Sequence, residues 1–319
     1  MKMKLEDIGF YTLSDYRASQ ASVNSPLWRC ELLVTNACNF NCPYCRHVGP
    51  EGHMSWDEAQ RVFDLWCDDG LKNVRLSGGE PTLWPLLAMA VSYLRARGVE
   101  RIAISTNGSA PQDLYGMLID AGANDFSVSF DACCADDCSK MTGGNDAWNA
   151  ITSNIKYIAS RTYVTAGVVL TEDNQDSVVE IVGAARECGV QDIRVIPAAQ
   201  HAKVLDELPD VLAMPILEYR KRNLAEGVRG LRESDCRRCR LVLDDMAVIG
   251  TNHYPCIIYA REGGQPIGGV GENMRAERLA WSLQHDCHAD PICSGNCLDV
   301  CRDYNNTAHR YATQCKEGQ

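Results

Sequence analysis

The chain has 319 residues, 45% of them hydrophobic and 23% charged, enough to bury one large core or a core plus a smaller unit. Lys and Arg number 31 against 42 Asp and Glu, a net charge of −11, which excludes a global basic field that would draw in nucleic acid and leaves only a local groove open. Residues 1–7 lack a long apolar core and no run approaches the roughly 18 apolar residues of a membrane span, so a cytoplasmic protein without a membrane anchor is expected.

Residues 1–27 show no clear periodicity and are expected to be an N-terminal extension packed on the main domain. From residue 28 short β-rich runs alternate with amphipathic stretches. Strands are expected at 29–35, 73–77, 101–106, 125–131, 164–170 and 192–197. Ser55 to Glu58 reads as a capping box opening a helix that stops at Gly70. Further helices are expected at 83–97, from Pro111 to near Gly122, from Asn145 to about Ser160, and at 173–187. Strands alternating with helices imply right-handed crossovers and a parallel sheet. The fold class is therefore α/β, a partial (β/α)6 TIM-like barrel spanning 28–205. A helical linker over 206–232 and a small cysteine-rich domain over 233–319 complete the expected organisation.

In parallel β/α folds ligands bind at the carboxyl ends of the strands. Cys38, Cys42 and Cys45 follow the first strand, Gly78, Gly79 and Glu80 the second, and Asn107 the third, while Asp131 closes the fourth. One site built by several loops is implied. Seventeen cysteines without a secretory signal point to metal or redox chemistry in place of a disulfide framework. C-x3-C-x2-C supplies three thiolates, and the next cysteine, Cys67, lies inside an expected helix. A metal centre left one ligand short can bind a reactant.

The cysteine motif, with Tyr44 before its last cysteine and Gly78-Gly79-Glu80-Pro81 one strand later, resembles the radical S-adenosylmethionine (SAM) superfamily over about residues 28–200. The resemblance implies a 4Fe-4S cluster on Cys38, Cys42 and Cys45 whose fourth iron chelates SAM. Gly78, Gly79 and Glu80 would line the methionine end and Tyr44 would bring its backbone to the adenine. Ser105, Asn107 and Ser129 would meet the ribose, and Val169 and Leu170 would flank the adenine. Apart from the resemblance, Arg194 at the end of the sixth strand could pair with a SAM or substrate carboxylate or form a structural salt bridge. Reductive cleavage would yield a 5′-deoxyadenosyl radical, supplied with electrons by a flavodoxin- or ferredoxin-type donor.

Eight cysteines crowd the C-terminal region: Cys236, Cys239, Cys256, Cys287, Cys293, Cys297, Cys301 and Cys315. Cys287-x5-Cys293-x3-Cys297 is similar to part of the auxiliary-cluster extension called SPASM, or its shorter twitch form. The family's preceding cysteine falls here on Gln284. One auxiliary 4Fe-4S cluster is expected on Cys236, Cys239 and Cys256 with one of Cys293, Cys297 or Cys301. A second would use Cys287, Cys315 and the remainder, and a zinc knuckle is the alternative.

Other residues have a functional and a structural reading. Cys133, Cys134 or Cys138 could donate hydrogen to a substrate radical or be small buried hydrophobes. His47 and His53 could meet substrate or be loop histidines, and Arg237, Arg238 and Arg240 could hold an anion or face solvent. Asp131 could be a base or a cap. The expected function is SAM cleavage followed by hydrogen abstraction from a small sugar- or nucleoside-containing molecule. Alternatives are a SPASM-type peptide maturase, modification of a hypermodified nucleotide in DNA, or a non-catalytic iron-sulfur or zinc scaffold.

Overall fold

The computed structural model describes residues 15–22, 27–46, 49, 51–197, 214–224 and 229–317. His47 lies outside them, as do Phe10 and Tyr11 of the extension.

A short helix α1 (Asp15–Gln20) precedes β1 (Arg29–Thr35), whose residues after Arg29 are all buried. Next come α2 (Trp56–Asp68), β2 (Asn73–Gly78), α3 (Leu87–Ala96), β3 (Arg101–Thr106), α4 (Gln112–Ala121) and β4 (Asp125–Ser129). Two helices follow β4, α5 (Ala135–Met141) and α6 (Trp148–Ala159), then β5 (Tyr163–Leu170), α7 (Val178–Glu187) and β6 (Asp192–Pro197). All six expected strands are present within two residues at each end. α2 opens on the expected capping box, with the Ser55 hydroxyl accepting from Glu58 N–H at 3.3 Å and Glu58 accepting from Ser55 N–H at 3.0 Å. α3 begins at Leu87 instead of 83 because Pro81 and Pro85 hold the chain in a 3-10 turn and a bend first.

β6 is followed by α8 (Pro215–Leu224), inside the expected linker. The buried carboxylate of Asp192, the first residue of β6, accepts the Ile216 N–H at 2.9 Å. That bond caps α8 and docks it on the strand, so the helix completes the sixth β/α unit.

The cysteine-rich region contributes β7 (Asp245–Ile249), β8 (Asn252–Tyr254), α9 (Ile257–Arg261), β9 (Gly268–Gly269), α10 (Met274–Gln284), α11 (Pro291–Asn296) and α12 (Asp299–Glu317). One nine-stranded sheet runs in the order β6-β5-β4-β3-β2-β1-β7-β8-β9. Neighbours from β6 to β7 are parallel, whereas β8 and β9 are antiparallel additions. The sheet is open, as a partial barrel requires. β7 lies beside β1 with Arg29 opposite Asp245, so the sheet crosses the boundary expected near residue 230. Trp66 of α2 reinforces the junction, its Nε1–H meeting the Met246 sulfur at 3.2 Å.

α1 packs on α12, where Ala18 and Ala308 join Leu241 and Tyr304 in a small apolar cluster, and the buried Arg17 pairs with Asp244 at 2.5 Å. Small residues let the two helices approach, so this part of the extension belongs with the C-terminal helix.

Candidate active site

The loops at the carboxyl ends of β1 to β6 surround a cavity of about 420 Å³. Cys38, Cys42 and Cys45 line it, as do Tyr44, Gly78, Gly79 and Asn107. So do Ser105, Ser129, Val169 and Arg194. Three thiols from one loop match the donor set of a 4Fe-4S cluster with one open iron. Burial pushes the Cys42 thiol up to about 11, and those of Cys38 and Cys45 upward too. A bound metal cation reverses that preference by stabilising the thiolates.

The cysteine loop is held by backbone. Gly79 N–H donates to the Thr35 carbonyl and Glu80 N–H to the Ala37 carbonyl, both at 2.8 Å. The approach is so close that a Cβ on Gly78 would lie 2.1 Å from the Thr35 oxygen, and one on Gly79 would lie 2.4 Å from the Ala37 oxygen. On the far side Asn41 N–H donates to the Thr142 carbonyl, and Gly143 has no room for a Cβ against the Asn41 oxygen. Nothing in the sequence pattern flagged Gly143.

Glu80 does not line the cavity. Its buried carboxylate accepts from Asn107 N–H at 2.6 Å, the Thr106 hydroxyl at 2.7 Å, and Thr82 through both hydroxyl and N–H. Asn107 in turn donates from Nδ2 to Asn39 Oδ1 at 2.8 Å. Glu80 therefore joins the loops after β2 and β3, and Asn107 carries the tie to the cysteine loop. Leu170 is likewise fully buried behind the surface that Val169 presents.

Asp131 also joins two loops. It accepts the Tyr44 phenol on one oxygen and Val169 N–H at 2.6 Å on the other, and burial pushes its carboxyl up to about 6. Among the three cysteines after β4, Cys138 lines the cavity, whereas Cys133 and Cys134 turn their thiols to Asp137 at 3.4 Å. His53 packs its Nδ1 on the Thr35 hydroxyl at 2.8 Å, behind the loop.

The rest of the cavity is rich in arginine. Arg29 pairs with Asp245 at 3.2 Å and Arg220 with Asp299 at 2.5 Å. Arg75 and Arg194 form no salt bridge among the described residues, although Glu31 on the same cavity wall acts on both electrostatically: Arg75 donates to the Ser105 hydroxyl at 2.7 Å and Arg194 to that of Ser127 at 3.0 Å. Gly167 on the intervening strand leaves room for Arg194 to reach across. Burial, then repulsion from Arg75, Arg220 and Arg29, pulls the Arg194 guanidinium down to about 9. The signal missed in the sequence was period two: Arg29 with Glu31, Arg75 with Ser77, Ser127 with Ser129, polar pairs alternating along expected buried strands.

A family model described as the radical SAM superfamily matches residues 32–185. Those residues are a radical SAM domain. The family uses a 4Fe-4S cluster and SAM, which is the chemistry the cysteine loop fits. The probable GTP 3′,8-cyclase of Saccharolobus solfataricus is 30% identical over 176 residues, 54% of this chain and 57% of that protein. The GTP 3′,8-cyclase of Tolumonas auensis is 37% identical over 120 residues, 36% of each chain. The chain thus spans little more than half the length of such curated relatives, or less. Among solved structures, native anSMEcpe with bound AdoMet and Cp18Cys peptide superposes with a TM-score of 0.62 at 14% identity, covering 92% of this chain and 98% of that one. SuiB of Streptococcus suis gives 0.55 at 15% identity, covering 76% and 63%. These two likenesses establish a shared fold.

Beyond the radical SAM domain, the seven C-terminal cysteines whose side chains are described, Cys236, Cys239, Cys256, Cys287, Cys293, Cys297 and Cys301, all line a second cavity of about 50 Å³. The side chain of Cys315 lies outside the described residues. Cys256 and Cys301 also line the large cavity, so the two share a wall. The Cys297 thiol donates to the Leu298 carbonyl at 3.8 Å, and the thiols of Cys301, Cys239 and Cys256 are its neighbours. The exposed Arg237 pairs with Asp286 at 2.7 Å and Arg238 donates to the His285 carbonyl at 2.7 Å, fastening two segments of this region. No helix among the described residues is long and apolar enough to cross a membrane.

Proposed function

We propose that the chain is a radical SAM enzyme that abstracts hydrogen from a small anionic molecule containing a sugar or nucleoside. The observation that carries the substrate class is the pair of arginines outside any direct salt bridge among the described residues, Arg75 and Arg194, facing the cavity that the cysteine loop also lines. Guanidinium groups held on serine hydroxyls keep N–H donors for a phosphate or carboxylate. The names of the curated relatives, GTP 3′,8-cyclases, point to the same substrate class.

Cys38, Cys42 and Cys45 would hold the cluster, which supplies the electron that cleaves SAM into methionine and a 5′-deoxyadenosyl radical. The chain's own residues shape what happens next. Gly78, Gly79 and Asn107 set one wall of the SAM site, with Ser105, Ser129 and Val169 along the strand ends. Glu80 and Asp131 hold the surrounding loops in register from behind and beside it. Trp148, Phe130 and Ile151 supply apolar lining that excludes water and competing hydrogen donors. Cys239, Cys256, Cys297 and Cys301 would hold one auxiliary 4Fe-4S cluster of the SPASM or twitch type on the wall shared by the two cavities.

A peptide substrate is the second reading, favoured by the near-complete superposition on anSMEcpe, whose structure contains a peptide. Anaerobic reconstitution and reduction with dithionite should yield 5′-deoxyadenosine from SAM, and its absence would leave only a scaffold role. Isothermal titration of the SAM-loaded protein with purine nucleoside triphosphates and sugar phosphates decides the substrate class. Binding that is lost in Arg75→Ala supports the anionic small molecule, whereas indifference to every phosphate in the panel would sink it.

A further inference from the structure

We propose that His285, Cys287 and Cys293 form a binding site for a single zinc-type metal ion, separate from either iron-sulfur cluster. The ligand atoms of these three residues all lie within 4.8 Å of one another, and Cys293 Sγ stands 3.6 Å from His285 Nε2. A tetrahedral ion bonded to sulfur at about 2.3 Å and to nitrogen at about 2.05 Å requires an S···N separation of about 3.6 Å. In a 4Fe-4S cubane each ligand takes its own iron at a separate corner, which spreads ligand atoms beyond the spacing of ligands to one ion. The spacing found here is that of one ion, and mixed thiolate and imidazole donors suit zinc.

The surroundings are built to hold these ligands. The Trp281 ring stacks on the His285 ring, centroids 4.0 Å apart and planes 15° from parallel, fixing the imidazole. Asp290 accepts the N–H groups of Ile292 and Cys293 at 2.8 Å, which aims the first turn of α11 and Cys293 with it. Its other oxygen accepts from Tyr259 at 3.0 Å. Cys287 N–H donates to the Arg237 carbonyl at 2.9 Å and Arg238 to the His285 carbonyl, so the backbone on both sides is tied down. Such outer contacts orient metal ligands. Cys236 lines the same cavity and, among the C-terminal cysteines whose side chains are described, is the thiol left for the fourth position once Cys239, Cys256, Cys297 and Cys301 are grouped together. The imidazole comes one residue after Gln284, where the auxiliary-cluster pattern expects a thiol. The ion would clamp the end of α10 to the start of α11 without carrying electrons, since zinc has no redox chemistry.

The test is a metal inventory of the full-length protein, purified anaerobically and reconstituted with iron and sulfide without added zinc, together with X-ray absorption at the zinc edge. The expected result is about one zinc per chain, in a shell of sulfur with one nitrogen. His285→Ala and Cys293→Ser should each lose the zinc and keep the iron. His285→Cys should keep both while the nitrogen disappears from the shell, which separates ligand loss from misfolding. No zinc in the wild-type protein, or iron lost in place of zinc in His285→Ala, would overturn the proposal.

Discussion

Gly78 packs against Thr35 so tightly that the loop after β2 and the cysteine loop after β1 form one backbone unit. Its φ of +152° and the Thr35 oxygen 2.1 Å from where a Cβ would stand leave no alternative residue. Gly78→Ala must therefore push the two loops apart, at a cost of about 3 kcal/mol or more. The expected protein is folded by circular dichroism, yet takes up less iron on reconstitution and has a weakened cluster absorption near the cysteine loop. Full iron loading in this variant would show that the two loops are not coupled.

Glu80 lends itself to a substitution that preserves size. Gln at 80 can accept from Thr106 and Thr82 with its oxygen, but then its amide group faces the Asn107 N–H, donor against donor. Leaving that part-buried N–H without its acceptor costs about 1–3 kcal/mol. Asn107 and its bond to Asn39 should loosen, and SAM affinity in Glu80→Gln should fall roughly tenfold to a hundredfold by calorimetry. Amide exchange should speed up at 107–109. A direct bond from Glu80 to SAM predicts the affinity loss without the faster exchange, so the two measurements together separate the roles.

The six barrel strands were legible because each is a short apolar run between turn residues, and the capping box marked α2. The site's location followed from motifs at strand ends. Less visible was anything decided by direction. Glu80 lies beside two cavity-lining glycines in sequence, yet its carboxylate turns inward because four donors from two loops converge there. β7 escaped because four apolar residues, 246–249, sit in a region whose cysteines dominate the pattern, and only pairing with β1 makes them a strand. The partnership of His285 with Cys293 depends on how α10 ends relative to α11, which no local spacing encodes.

The pairing of α1 with α12 rests on Arg17, Asp244 and Tyr304. Arg17 and Asp244 are both buried, Tyr304 donates to the same carboxylate at 2.5 Å, and the Arg17 guanidinium lies 4.0 Å from the Trp28 ring centroid. Arg17→Ala strands a buried charge and should cost about 3–5 kcal/mol. The denaturation midpoint falls, and protection from amide exchange is lost first in α1 and the facing part of α12. Adding Asp244→Asn should restore part of the loss, since the stranded charge goes with it.

Asp192 gives the fold a pH dependence of determinate sign. Burial raises its carboxyl to about 6, even though Ile216, Ile193 and Leu217 N–H groups favour the ionised form. A carboxyl whose folded value exceeds its unfolded value of about 3.9 binds protons more strongly when folded. Its stabilising contribution is therefore fully present below about pH 4 and is lost as pH rises through about 6. The interval of roughly two units is worth at most about 3 kcal/mol. In urea unfolding of the apo protein, the difference between wild type and Asp192→Asn should change across pH 4 to 7, with the wild type losing stability relative to the variant as pH rises. Asn keeps an oxygen for the Ile216 N–H, so α8 should stay docked on β6 in the variant. A wild-type-minus-variant difference that is flat across this window would mean that Asp192 is ionised throughout and that the α8 cap is a simple charge-assisted bond.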